Sequence, residues 1–285
     1  PVRPSASARA RAPPPRPTLR ALPRAAAPRD ATRRALAAHV TQVEPLSATP
    51  GDEATLGPEM LRHADRGVEV LVDASGRRVA KEPADPGASL GAGFFERFYA
   101  GRRDPWGFET RWYEQRKRAV LLASLPRRRF RAALELGCST GVLTAELAAR
   151  CDRVVGVDVA EAPLAQARRR LGPEVELLRL DTPDEWPDGT FDLVVLSEVL
   201  YYYGRDDLDR ALDRATASLA DDGVLVACHW RHDVVEYPLG GDEVHARLAA
   251  RPELDRLAHH VEEDFVLDVL VRRPAVSVAR ATGLL

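Results

Sequence analysis

The sequence predicts an α/β fold with a mostly parallel β-sheet over about residues 94–285, on three observations. Short apolar runs rich in β-branched residues alternate with stretches of helical periodicity. A glycine-bounded loop follows the first run, and polar residues follow the later ones, as in sheets whose strands alternate with helices. Apolar residues make up 45% of the 285 residues and charged residues 29%, which is enough for a sizeable globular core.

Seven strands are expected in this region, with helices between them. The apolar runs that predict the strands are 132–136, 154–158, 175–180, 191–196, 223–228, about 257–262 and 265–272. Helices are predicted over 141–150, 161–171, 206–219 and about 241–250. The last two strands are able to pair as an antiparallel edge of the sheet.

The chain ahead of residue 94 has a different character. Residues 1–29 contain eight prolines and no apolar periodicity, which predicts a disordered arm, because proline fixes φ and removes a hydrogen-bond donor. Residues 30–80 predict a small appendage with helices over 30–46 and 56–64 and a strand at 68–72. Residues 81–93 are rich in Pro, Gly and Ser, which predicts a linker.

Several function classes are disfavoured by composition. The arm of residues 1–29 is rich in arginine and therefore basic, but it has no aromatic side chains that could stack on bases, so a plain tail is preferred over a nucleic-acid or acidic-lipid contact. No apolar run approaches the roughly 18 residues of a membrane span. The chain has three scattered cysteines, and its histidines lack metal-ligand spacing, so we predict no disulfide scaffold, no metal site and a cytoplasmic location.

The strongest motif is the segment LELGCSTG, residues 134–141. An apolar strand passes through Glu135 into a glycine-bounded loop, and a run of good helix formers follows. Gly137 permits a sharp turn where a Cβ would clash, and Gly141 permits close approach of the backbone to a ligand. Free N–H groups at the start of the next helix suit a carboxylate or a phosphate. An ordinary strand-to-helix turn is the alternative.

Polar residues follow the other strands at the same edge of the predicted sheet. Asp158 ends the second strand, Asp181 follows the third, Ser197 and Glu198 follow the fourth, and His229 follows the fifth. Open α/β sheets bind ligands at this edge, where an acid after the second strand hydrogen-bonds ribose hydroxyls. Each acid taken singly can instead cap the next helix. The prediction of a site therefore depends on the coincidence of five polar strand ends.

The glycine pattern separates two cofactor classes. A dinucleotide fold would carry G-x-G-x-x-G, and its third glycine is missing here. The observed E-x-G-x-x-x-G instead resembles motif I of class I S-adenosylmethionine-dependent methyltransferases, with Ser139 in place of the family's usual middle glycine.

A narrower resemblance covers about residues 94–272. FFERFYAGRRDPWGFETRWYEQRKRAVLLASL, LELGCSTGVLTAELAARCDRVVGVDVAEAPLAQAR, FDLVVLSEVLYYY and GVLVACHWRHDVVEYPLGGDEVHA together resemble the nodulation protein S family of methyltransferases. The resemblance implies a Rossmann-like class I fold with strand order 3-2-1-4-5-7-6, S-adenosylmethionine as donor and N-methylation of an amino sugar. In that family the acceptor is the free amine of a deacetylated chitooligosaccharide.

The resemblance also implies roles for individual residues. Those expected at the cofactor are Trp106, Tyr113, Glu135, Gly137, Cys138, Ser139, Gly141, Asp158, Asp181, Thr182 and Ser197. Asp158 is expected to hold the ribose diol, and Asp181 with Thr182 to meet the adenine. Aromatic faces are favourable beside a sulfonium cation, so Trp106 and Tyr113 are expected to cover it. A buried ring in an ordinary turn is the alternative for Trp106.

The acceptor side requires an unprotonated nucleophile, so a base is expected when the nucleophile is an amine. Glu198 and His229 are the catalytic candidates, His229 because the ordinary pKa of histidine is about 6.5. The residues expected to contact the acceptor are Tyr201, Tyr202, Arg231 and His232.

The favoured function is N-methylation of an amine on an amino sugar, oligosaccharide or related small polar metabolite. O-methylation of a small natural product and an inactive cofactor-binding partner module are the alternatives. Residues of about 30–75 resemble the C-terminal tail of LmbE-like (PIG-L) N-acetyl-sugar deacetylases, without any metal-site motif. That resemblance implies functional coupling to a deacetylase. Nothing in the sequence indicates the oligomeric state.

Overall fold

The computed structural model describes residues 84–285 and, ahead of them, two strands. The chain divides into two compact units, Pro1–Ala80 and Lys81–Leu285. In the first unit, β1 (Thr18–Pro23) pairs antiparallel with β2 (Val68–Asp73). The strand expected at 68–72 is thereby confirmed. The helices predicted over 30–46 and 56–64, and most of the deacetylase-like segment, lie outside the described residues.

Strand β1 lies within the segment 1–29 that was expected to be disordered, and for its six residues that expectation is wrong. Residues 18–22 contain no proline, so each can take part in the ladder. Pro23 closes the strand, and both strands of a two-stranded sheet are edges, where proline is tolerated.

The second unit is built on a seven-stranded sheet. Its strands are β3 (Phe130–Leu136), β4 (Cys151–Asp158), β5 (Val175–Arg179), β6 (Phe191–Ser197), β7 (Leu219–Trp230), β8 (Leu254–Val261) and β9 (Phe265–Arg272). They lie in the order β5-β4-β3-β6-β7-β9-β8. The first five are parallel, and β9 is antiparallel to both β7 and β8. Counted from β3, this is the expected order 3-2-1-4-5-7-6.

In the described part of the chain, seven helices accompany these strands: two precede β3, one follows β9, and four lie between strands. They are α1 (Ala92–Tyr99), α2 (Trp112–Ser124), α3 (Val142–Ala148), α4 (Glu161–Arg170), α5 (Arg205–Ala217), α6 (Gly241–Ala249) and α7 (Val278–Ala281). A 3₁₀ turn, Leu200–Tyr202, precedes α5. The four helices predicted between the strands are confirmed as α3 to α6. Among the residues that the structure describes, no helix is long and apolar enough to cross a membrane.

The core lies on both faces of the sheet, which explains why the central strands are mostly apolar rather than alternating. In β6 every residue from Phe191 to Leu196 is buried. Val194 and Leu196 pack into the cluster on one face, while Leu193 and Val195 pack into the cluster on the other. A parallel sheet covered on both faces requires this composition.

The prediction of a linker over residues 81–93 needs correction for its described part, because residues 84–93 pack on the fold. The backbone N–H of Leu90 donates to the carbonyl of Tyr202 at 2.8 Å, and the N–H of Arg205 donates to the carbonyl of Pro86 at 3.0 Å. A Cβ added at Gly204 would lie 2.7 Å from the carbonyl carbon of Gly87, so only glycine permits this approach. Helix α1 then begins at Ala92, two residues before the predicted boundary.

Candidate active site

The loop between β3 and α3 turns on two glycines with positive φ. Gly137 has φ +68°, and a Cβ there would lie 2.9 Å from a methyl group of Val199. Gly141 has φ +75°, and a Cβ there would lie 2.9 Å from Leu171. Gly141 thus serves the packing of α3 against α4 and does not line the cavity described below, so its expected contact with the cofactor stays a prediction.

Asp158 at the end of β4 holds this loop in place. One carboxylate oxygen accepts the backbone N–H of Ser139 at 2.9 Å, and the other accepts the N–H of Ala160 at 2.9 Å. Burial raises the pKa of Asp158 to about 6, and the hydrogen bonds from Ala160 and Ser139 oppose that rise. The carboxylate does not cap α4, whose N-cap is Ala160 without a side-chain cap hydrogen bond; it joins the glycine loop to the segment ahead of α4 and lies at the cavity.

A cavity of about 570 Å³ opens at the carboxyl ends of the parallel strands. The predicted residues that line it are Trp106, Tyr113, Glu135, Gly137, Cys138, Ser139, Asp158, Asp181, Thr182, Ser197, Glu198, Tyr201 and Tyr202. The predicted residues that do not line it are Gly141, His229, Arg231 and His232. The carboxyl-end edge thus brings together most, but not all, of the predicted site.

Glu135 presents to the cavity a carboxyl group with one unpartnered oxygen. Its side chain is buried, and Oε2 has no hydrogen-bond partner among the described residues. Burial raises its pKa to about 8. A buried oxygen without a partner is costly, so this atom favours a ligand that brings a positive charge or an N–H donor.

Replacing Glu135 by glutamine is expected to remove a pH dependence of stability. Because burial raises the pKa to about 8 from 4.5, the folded protein keeps a proton that the unfolded chain releases at lower pH. The stability from this group is complete below about pH 4.5 and is lost as the pH rises through about 8. The thermal unfolding temperature of the ligand-free protein should therefore fall less steeply with rising pH in the variant than in the wild type. Glu176→Gln, at an exposed ion pair, is the control.

Helix α1 and the loop after it cover one side of the cavity. The hydroxyl of Tyr99 lies 2.5 Å from the hydroxyl of Ser139, which joins α1 to the glycine loop. The ring of Trp106 stacks on Phe98 with centroids 4.4 Å apart. The carboxylate of Asp104 accepts three consecutive N–H groups, from residues 107–109, and so fixes the turn that carries Trp106. Trp106 therefore packs in a turn and also lines the cavity, and its contact with the cofactor stays a prediction.

The other end of the cavity holds a buried ionic cluster that the sequence analysis missed. The ammonium of Lys117 lies 3.1 Å from a carboxylate oxygen of Glu114 and 3.1 Å from one of Glu198. The ring of Tyr113 lies 5.1 Å from the same ammonium. Although burial lowers the pKa of Lys117, the two carboxylates outweigh it and raise that pKa, so the ammonium stays protonated. Two carboxylates and one ammonium leave this end negatively charged.

Glu198 is the centre of this cluster and has a strained backbone. Its φ is +56°, in the left-handed region that side chains rarely adopt. Its N–H donates to the carbonyl of Cys228 at 2.9 Å, and its carboxylate accepts the hydroxyl of Tyr201. Strained non-glycine residues persist only where the surroundings hold them, and they concentrate at functional sites.

The prediction that His229 is a catalytic base needs correction, because the side chain cannot act as a base at the cavity. Its ring is fully buried, and both nitrogens are occupied: Nε2 accepts the N–H of Leu200 at 3.2 Å, and Nδ1 lies 3.0 Å from His245. Burial lowers the pKa of His229 well below its ordinary value. No ring nitrogen remains for an acceptor.

The other two strand-end residues are also taken by protein partners. The guanidinium of Arg231 binds the carboxylate of Asp242 at 2.7 and 3.0 Å. The ring of His232 lies 2.8 Å from a carboxylate oxygen of Asp264 and packs on Trp230. Asp264 and Trp230 line the cavity whereas Arg231 and His232 do not, so the direct contacts expected between these two residues and an acceptor gain no support from the structure.

Comparison with known proteins places this arrangement in a family. A family model described as a methyltransferase domain matches residues 133–223. Nodulation protein S from Rhizobium tropici is 33% identical over 127 residues, which are 43% of this chain and 53% of that protein. The chain thus spans about half the length of that curated relative.

Two solved structures match over nearly their whole length. A protein from Pseudomonas syringae assigned as a methyltransferase is 48% identical, with a TM-score of 0.51 over 57% of this chain and 100% of that one. The N-methyltransferase NodS from Bradyrhizobium japonicum, solved with S-adenosyl-L-homocysteine, is 26% identical, with a TM-score of 0.58 over 65% of this chain and 98% of that one. With the sheet order and the glycine loop, these matches show that the chain belongs to the class I S-adenosylmethionine-dependent methyltransferases and resembles nodulation protein S.

Proposed function

We propose that this chain transfers a methyl group from S-adenosylmethionine to an amine of an amino sugar, oligosaccharide or related small polar metabolite. The observation that carries the proposal is the single cavity that joins the glycine loop and Asp158 at one end to the carboxylates Glu114 and Glu198 at the other. The proposed nucleoside site and the acidic site therefore share one cavity.

The residues at the first end fit the cofactor. The unpartnered Oε2 of Glu135 suits the cofactor's ammonium, and Asp158 lies where an acid holds a ribose diol. Asp181 and Thr182 line the same cavity and remain proposed for the adenine. When bound, S-adenosylmethionine supplies an activated methyl group on a sulfonium centre. Tyr113, whose ring is already close to a cation, is proposed to lie beside that charge.

The acidic end supports an amine as the acceptor. An amine reaches the cavity mostly as an ammonium. The two carboxylates, Glu114 and Glu198, can bind this ammonium because the single positive charge of Lys117 neutralises only one of them. The amine must then lose its proton before it attacks. Burial raises the pKa of Glu114, which brings that carboxylate closer to the range in which it can take up a proton.

The aromatic residues beside this end support a sugar as the carrier of the amine. The rings of Tyr201 and Tyr237 stack with centroids 4.9 Å apart, and Tyr202 meets both edge-on. Their hydroxyls and faces combine apolar contact with hydrogen bonding, which is the chemistry that sugar rings require. The relative solved as NodS is named an N-methyltransferase, which agrees with an amine acceptor.

Mass spectrometry of products with methyl-labelled S-adenosylmethionine tests the proposal. Matched acceptors are glucosamine oligomers, their N-acetylated forms and a phenol panel. We expect labelled methyl on the free amines and none on the acetylated forms. Methylation of phenols alone would replace the proposal by O-methylation. Cofactor binding with no product from any acceptor would favour an inactive partner module.

A further inference from the structure

A continuous chain of side-chain hydrogen bonds runs from the edge strand of the sheet to the turn that forms the acceptor end of the cavity. His259 on β8 lies 2.7 Å from one carboxylate oxygen of Asp268 on β9. The other oxygen of Asp268 lies 2.7 Å from Nδ1 of His245 on α6. Nε2 of His245 lies 3.0 Å from Nδ1 of His229, whose Nε2 meets the N–H of Leu200 at 3.2 Å.

The protons in this chain have only one consistent placement. A backbone N–H only donates, so Nε2 of His229 carries no proton and its Nδ1 does. That Nδ1–H donates to Nε2 of His245, which must therefore hold its own proton on Nδ1 and donate it to Asp268. Burial raises the pKa of Asp268, but the hydrogen bonds from His245 and His259 and the charge of Arg256 outweigh it and hold that pKa below its ordinary value, so the last acceptor is a carboxylate.

The direction of these hydrogen bonds excludes proton delivery to the cavity. The terminal group is the amide of Leu200, which cannot accept a proton, and neither His229 nor His245 lines the cavity. The hydrogen-bonded side chains therefore serve to fix the turn after β6, which they hold at the backbone N–H of Leu200.

This turn carries the acidic end of the cavity. Adjacent residues of β7 hold it twice: Cys228 accepts the N–H of Glu198, and His229 accepts the N–H of Leu200. Between these two anchors lies the left-handed backbone of Glu198, and just beyond them Tyr201 donates its hydroxyl to the Glu198 carboxylate. A strained residue needs such fixing to keep one geometry.

We propose that His229, His245 and Asp268 form a positioning triad that fixes Glu198 and Tyr201 for the acceptor. The effect on catalysis rests on the proposed function; the proton placement does not. His229 thereby has a role one step removed from the chemistry, in place of the base predicted from its sequence position.

Asp268→Asn tests the triad by reversing its direction. Oδ1 of Asp268 also accepts from the guanidinium of Arg256 at 2.9 Å and lies 2.7 Å from Nδ1 of His259. The amide oxygen of the asparagine is therefore expected to face these two donors. Its NH₂ group then faces His245 and forces the opposite proton placement in both histidines. His229 would present an N–H to the N–H of Leu200, and that anchor is lost.

Long-range ¹H–¹⁵N NMR of the histidine rings and steady-state kinetics are the two readouts. In the wild type we expect a protonated Nδ1 on His229, and in Asp268→Asn a protonated Nε2. Turnover should fall at least about tenfold, since small displacements of catalytic groups cost about that much or more. Affinity for S-adenosylhomocysteine should stay within about twofold, because the glycine loop is untouched.

His260→Gln is the matched control, because His260 lies on the same strand as His259 but pairs with Glu262 outside the chain. A protonated Nε2 on His229 in the wild type would overturn the inference, as would unchanged turnover in a variant whose tautomers have reversed. If the wild type methylates no acceptor, the proposed function has failed. The wild-type and variant tautomers then decide on the triad by themselves.

Discussion

Replacing Asp158 by alanine is expected to weaken binding of S-adenosylhomocysteine by about 10- to 100-fold. The carboxylate holds the glycine loop through the N–H of Ser139 and lies where the ribose is proposed to bind. A hydrogen bond to a charged group contributes about 1.5–3 kcal/mol, and each 1.4 kcal/mol is about tenfold in affinity. Isothermal titration calorimetry measures the change.

Asp152→Ala is the control for this variant, since Asp152 lies at the opposite end of the same strand and pairs with Arg129 at the surface. Circular dichroism shows whether each variant is folded. An affinity for S-adenosylhomocysteine equal to that of the wild type in folded Asp158→Ala would remove the ribose assignment.

Replacing Glu198 by glutamine is expected to lower turnover by about 10²- to 10⁴-fold, the range that a positioned acid or base contributes. Glutamine keeps the size of the side chain and an oxygen for the hydroxyl of Tyr201, but it removes the charge beside Lys117. The acceptor ammonium then loses one of its two carboxylates. Affinity for S-adenosylhomocysteine should change little, because Glu135 and Asp158 are unaffected.

Steady-state kinetics over the amine panel measures this effect, with Glu176→Gln as a folded control at an exposed ion pair. A turnover number within about threefold of the wild type would contradict a role for Glu198 at the acceptor, since it is far below the roughly 10²- to 10⁴-fold that a positioned acid or base contributes.

The strands were predictable because a parallel sheet buried on both faces leaves runs of apolar residues in the sequence, whereas their order was implied only by the family resemblance. Runs such as Phe191–Ser197 have no polar face, and each ends in a residue that lies at the carboxyl-end edge. Gly137, Asp158 and Glu198 were therefore placed correctly at the cavity from strand ends alone.

The errors share a physical cause, which is that contacts between distant segments leave no local pattern. His229 follows the strand-end rule but lies beneath the turn, because His245 and Asp268 occupy its other side. Lys117 lies on a helix before the first strand, and its only unusual feature was that the chain has just one other lysine, Lys81. The segment 84–93 has the composition of a linker, yet its free backbone groups bond to the turn and helix near Tyr202.

A crystal structure of the full chain with S-adenosylhomocysteine tests the central claim most directly. We expect the ligand in the cavity at the carboxyl ends of the parallel strands, with its ribose hydroxyls on Asp158 and its ammonium on Glu135. Electron density for the ligand at another place, or none at saturating concentration, would contradict the assignment of this edge as the methyl-donor site.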